Sequence, residues 1–170
     1  MKKEKMNDKG FSLVELIIVI AIMAVLVVVL APQYLKYVER SRNSTDMQNA
    51  TTVVTALQVY AADPEASKTF EKGKVTITVK TGDDVAFGGT TANAAAAEEA
   101  LSEAKISSSE LKCKSKTTWA SYQIEGDVKE GGNIQFTYHS YTSKDGSGTD
   151  NTALSDKMAG KTTTSSESGS

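Results

Sequence analysis

The stretch Lys9-Gly10-Phe11-Ser12-Leu13-Val14-Glu15, with the apolar run behind it, decides how this chain is read. From residue 16 to residue 31 there is no charge, no glycine and no proline, only Ile, Val, Leu, Ala and Met23. Counted from Phe11, the run is about as long as a bilayer requires, roughly 20 residues of helix. A helix that is apolar on all sides needs a cover of lipid or of other protein. Glu15 stands inside its first turns. A carboxylate at bilayer depth costs on the order of 3 kcal/mol, so Glu15 calls for a partner.

Charge around the run gives it a direction. Lys2, Lys3, Lys5 and Lys9 precede it, against Glu4 and Asp8. By the positive-inside rule that excess stays on the cytoplasmic side, which places the rest of the chain outside. A secretory signal carries its apolar core before the cleavage site; here the core follows Gly10. Cleavage there removes the charges and leaves the helix whole. Residues 11–62 read as one long helix. Beyond Pro32 it turns amphipathic, with Leu35, Val38, Met47, Ala50, Val54, Leu57 and Ala61 at helical spacing. Lys36, Glu39, Arg40, Asn43, Asp46 and Gln48 are expected on its other faces. Pro32 removes an amide donor and crowds the preceding turn, so a kink is expected there. Tyr34 and Tyr37 suit the membrane interface.

Gly10, Phe11, Ser12, Leu13, Glu15, the apolar run and Pro32 together resemble the N-terminus of type IV prepilins and their pseudopilin relatives. The resemblance covers roughly the first third of the chain. It implies an α+β fold, a long N-terminal helix with a small antiparallel β-sheet packed on its C-terminal half. It implies cleavage between Gly10 and Phe11 by a prepilin peptidase and N-methylation of the new Phe11 amine. It assigns Glu15 a partner, the Phe11 amine of a neighbouring subunit, and it makes Pro32 the end of a segment, from about residue 23, that loses helical order in the assembled filament. The implied partners are the membrane, further copies of the same chain in a helical filament, a platform membrane protein and a cytoplasmic assembly ATPase. No cofactor, metal or catalytic residue is implied. The expected location is the cytoplasmic membrane, single-pass with the head outside, and then an extracellular pilus. A pseudopilin of a type II secretion or competence system shares this N-terminus, and an uncleaved membrane-anchored binding domain is the remaining alternative.

The expected organisation is a leader at 1–10, an apolar helix at 11–34, its amphipathic continuation at 35–62, a globular head at 63–161 and a mobile tail at 162–170. Asp63-Pro64 ends the helix, because the residue before proline avoids the α region. Residues 75–79 alternate and are β-branched throughout, a strand with one buried face. Residues 93–104 are alanine-rich and predict a helix capped by Asn93. Residues 117–125 and 134–141 predict two antiparallel strands, with Trp119 on the face opposite Tyr122, covering the outer side of the sheet. Leu154 and Met158 predict a last contact on one helical turn.

The chemistry of the head is sparse. The lone cysteine, Cys113, allows no intramolecular disulfide and reads as a small half-buried apolar residue. This departs from the disulfide-bounded loop of many Gram-negative pilins. His139, also alone of its kind, reads as a sheet-edge residue. Gly88-Gly89 and Gly131-Gly132 lack the Lys-Ser/Thr of a phosphate loop. Adjacent acids such as Asp83-Asp84 and Glu98-Glu99 point apart, which makes them poor catalytic pairs. The net charge of -2 offers no general attraction to nucleic acid, so no direct nucleic-acid binding is expected.

Overall fold

The computed structural model describes residues 10–159. Residues 1–9 of the expected leader and the expected tail at 162–170 lie outside them. The first element is a helix, α1 (Leu13–Ala62), and Pro32 lies inside it. It ends before Asp63-Pro64, as the pre-proline restriction requires. Beyond it come β1 (Gly73–Lys80), β2 (Ala86–Gly89), α2 (Thr91–Glu103), β3 (Ser121–Val128), β4 (Ile134–Tyr141) and α3 (Ala153–Met158). The chain divides into two compact units, Met1–Val38 and Glu39–Ser170, and α1 contributes residues to both.

In the first unit the apolar stretch of α1 is exposed along its length, with a mean hydropathy of 3.4. Among the described residues α1 is the helix long and apolar enough to cross a membrane.

The second unit is a four-stranded antiparallel sheet in the order β2-β1-β3-β4, packed with the C-terminal part of α1. Register places Ile77 opposite Ile124 and Ile124 opposite Tyr138, so alternate residues build one inward face. Val75, Ile77, Val79, Tyr122, Ile124 and Val128 are buried there with Ala50, Val53, Leu57 and Tyr60 of α1. Gly126 is needed in this layer: a Cβ on it would lie 2.7 Å from Val75 Cγ1 and 2.8 Å from Ile134 Cγ2. On α2, Ala96, Ala97, Ala100 and Leu101 are buried, the small residues letting the helix approach closely. The cap of α2 is Thr90, whose hydroxyl accepts the Asn93 N–H at 3.2 Å. Asn93 is therefore inside the helix and not at its cap; it is fully buried and binds Glu71 and Lys74 through its side chain.

The segment between α2 and β3 is fastened to α1 by two buried carboxylates. Asp46 accepts the N–H groups of Lys114 (2.7 Å) and Ser115 (2.9 Å) and the indole N–H of Trp119 (2.9 Å). Glu39 Oε1 accepts the Ser115 hydroxyl (2.6 Å) and the N–H groups of Lys116, Thr117 and Thr118 (2.9, 2.9 and 3.2 Å). Between them Asn43 Nδ2 donates to Thr118 Oγ1 at 2.9 Å. Arg42 stands 3.6 Å from Glu39 Oε2. Burial alone would raise the Glu39 pKa, but the Ser115 hydroxyl and the three backbone donors outweigh it and bring it down to about 2.

This arrangement revises three expectations. Glu39, Asn43 and Asp46 are buried on the inward face of α1 rather than on its other faces. Trp119 does not cover the outer side of the sheet; it precedes β3 and is 1% exposed, against Asp46. The strand expected from residue 117 begins at Ser121, because the N–H groups of 116–118 are committed to Glu39 and leave no ladder to extend.

Asp46→Ala strands three buried N–H donors and should lower the stability of the head by about 3–5 kcal/mol, read by denaturant unfolding in detergent; Asp46→Asn, which keeps one acceptor oxygen, should lose less. Because the folded pKa of Glu39 lies below its ordinary 4.5, its contribution is complete above that pH and is lost as pH falls toward about 2. That contribution is about 3 kcal/mol, so Glu39→Gln should flatten the acid limb of the stability profile while costing stability at neutral pH.

Candidate functional site

The candidate site is the start of α1. Gly10 is exposed, and a Cβ on it would meet nothing within 4 Å. Phe11 is 94% exposed. Both residues are thus open to another protein. Ser12 is the residue before the helix, and it and Glu15 form a reciprocal cap. The Ser12 N–H donates to Glu15 Oε2 at 2.9 Å, and Ser12 Oγ accepts the Val14 N–H at 3.3 Å. The first turn closes by the Leu16 N–H to Ser12 O bond at 3.2 Å. Ser-x-x-Glu is the sequence signature of such a capping box, and it is legible in Ser12-Leu13-Val14-Glu15. The reading of Glu15 as an assembly residue passed over this second role.

The cap is sound physics for a helix that starts in an apolar layer. The first N–H groups of a helix have no partner within it, and in lipid each costs several kcal/mol. A carboxylate at the positive end of the helix dipole is also favoured by its position. The cap uses Oε2, while Glu15 Oε1 makes no hydrogen bond among the described residues. Glu15 therefore has an oxygen available for a further donor.

Pro32 sits within the continuous run of α1 in the single chain. Tyr34 and Tyr37, close behind, are exposed.

The head holds its reactive side chains in structural roles. Cys113 is buried and points its thiol at Asp46 Oδ2, 3.5 Å away. Burial, with the Asp46 charge next, pushes its pKa up to about 12, so it is held as the thiol. His139 lies on β4, a sheet edge, with Nδ1 2.6 Å from Asp150 Oδ2. Asp150 also accepts the N–H groups of Ser140 and Thr152, tying the segment before α3 to that edge. Leu154 of α3 is fully buried, which places the last contact where the sequence suggested. Among the described residues no group of three or more His, Cys, Asp or Glu could hold a metal. An open groove of about 1230 Å³ runs beside α1, lined by residues such as Met47, Thr51, Thr55, Val59, Ala104 and Met158.

Comparison with known proteins gives the N-terminal site a family context. A family model described as the prokaryotic N-terminal methylation motif matches residues 5–31. One type IV major fimbrial protein FimA of Dichelobacter nodosus is 38% identical over 64 residues, 38% of this chain and 41% of that protein. A second FimA from the same organism is 39% identical over 67 residues, 39% of this chain and 43% of that protein. A prepilin peptidase-dependent protein A of Clostridium perfringens is 32% identical over 73 residues, 42% of this chain and 52% of that protein. The chain thus spans about two-fifths of the fimbrial relatives and about half of the clostridial one. No solved structure matches the chain. The chain carries the methylation motif, and the resemblance to type IV pilins read from its first residues is borne out.

Proposed function

We propose that this chain is the structural subunit of a type IV pilus, held in the membrane by α1 and then polymerised into a cell-surface filament. The observation that carries the reading is an exposed apolar helix that begins with an open Gly10-Phe11 bond and a capped Glu15. Such a helix needs lipid before assembly and neighbouring helices after it. A prepilin peptidase cuts after Gly10, and Phe11 becomes the N-methylated first residue. The segments are the leader at 1–10, the apolar helix at 11–34, its continuation at 35–62 and the head at 63–161. A platform protein and a cytoplasmic ATPase drive assembly, so the subunit works without a catalytic site.

Glu15 is the register residue of that assembly. Its Oε2 caps the helix of its own chain, and its Oε1 receives the Phe11 ammonium of a neighbour. Pairing two charges in an apolar layer yields specificity more than strength, because desolvation cancels much of the attraction. On this reading the segment from about residue 23 to Pro32 gives up helical order as subunits pack, since Pro32 already removes one of its hydrogen bonds.

The first test is the intact mass of the protein from the native cell surface: a chain starting at Phe11 with one added methyl is expected, and a mass that retains residues 1–10 would sink the reading. Electron microscopy then separates long surface filaments from the short, envelope-confined assembly of a pseudopilin. Gly10→Val should block cleavage, leaving the precursor with its leader in the membrane fraction on immunoblots. Glu15→Gln keeps an oxygen for the Ser12 N–H but loses the charge. It should insert and be processed normally, yet yield roughly tenfold fewer filaments or less, the change that ~1.4 kcal/mol per contact produces in an association constant. Wild-type piliation by Glu15→Gln would remove the charge pair from the mechanism.

A further inference from the structure

Within the second unit, one side of α1 is left uncovered along the groove of about 1230 Å³. Thr51, Thr55 and Val59 recur there at helical spacing and are exposed, Val59 at 66%. The Thr51, Thr52 and Thr55 hydroxyls donate to the carbonyl oxygens of Met47, Gln48 and Thr51, at 2.9 Å each. Their hydrogens are committed, so the stripe offers an occupant methyl groups and acceptor oxygens, and asks it for N–H donors. Among the described residues that line the groove, two are acidic, Asp63 and Glu103, and none is basic. Asp63 Oδ1 accepts the Glu65 N–H at 2.8 Å. Glu103 has no ion pair among the described residues, and Lys68 is engaged with Glu99. Glu103 also stands in the last turn of α2, which holds no basic residue and where the helix dipole favours a cation. The groove thus combines a wall that seeks donors with two carboxylates that seek a cation.

We propose that this groove seats the chain's own C-terminal residues, 160–170, with Lys161 against Glu103 and Asp63. Those residues lie outside the described ones, and their composition alone reads as a mobile tail. They follow Met158 and Ala159 directly, and Met158 is itself a groove residue, so the tail starts at the groove wall. From Ser44 to Tyr60 the groove follows α1 for about 24 Å at ~1.5 Å per residue. Residues 160–170 span about 36 Å when extended, enough to run that whole length. Lys161 is the tail's one cation, and no proline removes an N–H donor from it. Thr162, Thr163 and Thr164 are β-branched and favour the extended backbone that such a run needs. A tethered segment also meets its site at an effective concentration in the millimolar range, which favours it over a second copy of the chain. Seated there, the tail closes this face of α1 and competes with any protein that would pack on it.

The test uses the full chain in phosphatidylcholine vesicles, with Val59→Cys as the reporter. Cys113 does not compete, because it is buried and held as the thiol. A maleimide should react with Val59→Cys roughly threefold faster once residues 160–170 are deleted, the change expected if the tail covers the groove about two-thirds of the time. Gln58→Cys, exposed on α1 but outside the groove, should react at the same rate with and without the tail. Lys161→Glu in the full chain should speed the Val59→Cys reaction as the deletion does, and Glu103→Lys added to it should restore the slower rate. Carbodiimide coupling in a mixture of isotopically heavy and light chains, read by mass spectrometry, should link Lys161 to Glu103 or Asp63 within one chain. Equal Val59→Cys rates with and without residues 160–170 would overturn the proposal. Links that join heavy chains to light ones would place the tail in the groove of a second copy and overturn the seat within one chain.

Discussion

Two carboxylates about two turns apart on α1, Glu39 and Asp46, hold the head in its fold. The segment from α2 to β3 has no strand partner of its own over 114–118, and its N–H groups would be buried without acceptors. Asp46 and Glu39 supply those acceptors from the helix. Bonds to an ionised acceptor are roughly twice as strong as neutral ones. The desolvation of Asp46 is met by three N–H donors, Trp119 Nε1 among them, with the Cys113 thiol beside them, and that of Glu39 by the Ser115 hydroxyl and three backbone N–H groups. The start of β3 follows from this, since the ladder begins only where the N–H groups are released. So does the position of Trp119, whose indole needs an acceptor when its ring is buried.

The clasp also bears on how a head with one cysteine stays folded. A disulfide would join distant parts of the chain by restricting the unfolded state. Here residues 39–46 and 113–119 are joined by hydrogen bonds instead, and Cys113 sits inside that junction as a protonated thiol facing Asp46. Its burial and its raised pKa keep it out of thiol exchange, which runs through the thiolate. The cysteine is part of the packing of the clasp, and the carboxylates carry the connection between helix and loop.

What the sequence made legible followed from strong periodicity. The apolar run, the helix end at Asp63-Pro64 and the alternation of 75–79 and 134–141 each rest on a pattern that tertiary structure does not override. Glu39, Asn43 and Asp46 were hidden because polar residues on a long amphipathic helix ordinarily read as its solvated face. The signal was spacing: 39, 43 and 46 continue at helical intervals into 50, 53 and 57, the buried stripe. Polar residues in line with an apolar stripe are buried with it, and a buried carboxylate implies donors elsewhere in the chain. Which donors those are cannot be read locally, because the loop that supplies them lies some 70 residues on in the sequence. The cap of α2 illustrates the smaller error: Thr90 and Asn93 are both good capping residues, and the packing of Asn93 against Glu71 and Lys74 decides between them.

Glu15 belongs to both lessons. Its cost in an apolar layer pointed outward to a partner on another chain, and Ser12 shows that part of the answer is local. The two roles are compatible because a carboxylate has two oxygens and a helix start has several orphan donors. With Gly10 attached, Phe11 N is an amide and Glu15 serves its own helix. Cleavage after Gly10 would turn that nitrogen into an ammonium in the same apolar layer, a charge as costly as the carboxylate. A cap that already fixes Oε2 leaves Oε1 with a defined direction, so a partner amine would meet an acceptor whose rotamer is set in advance. Preorganisation of that kind lowers the entropy lost on association. The register of a filament built on such a contact would then be written into the first turn of each helix before any subunit meets another.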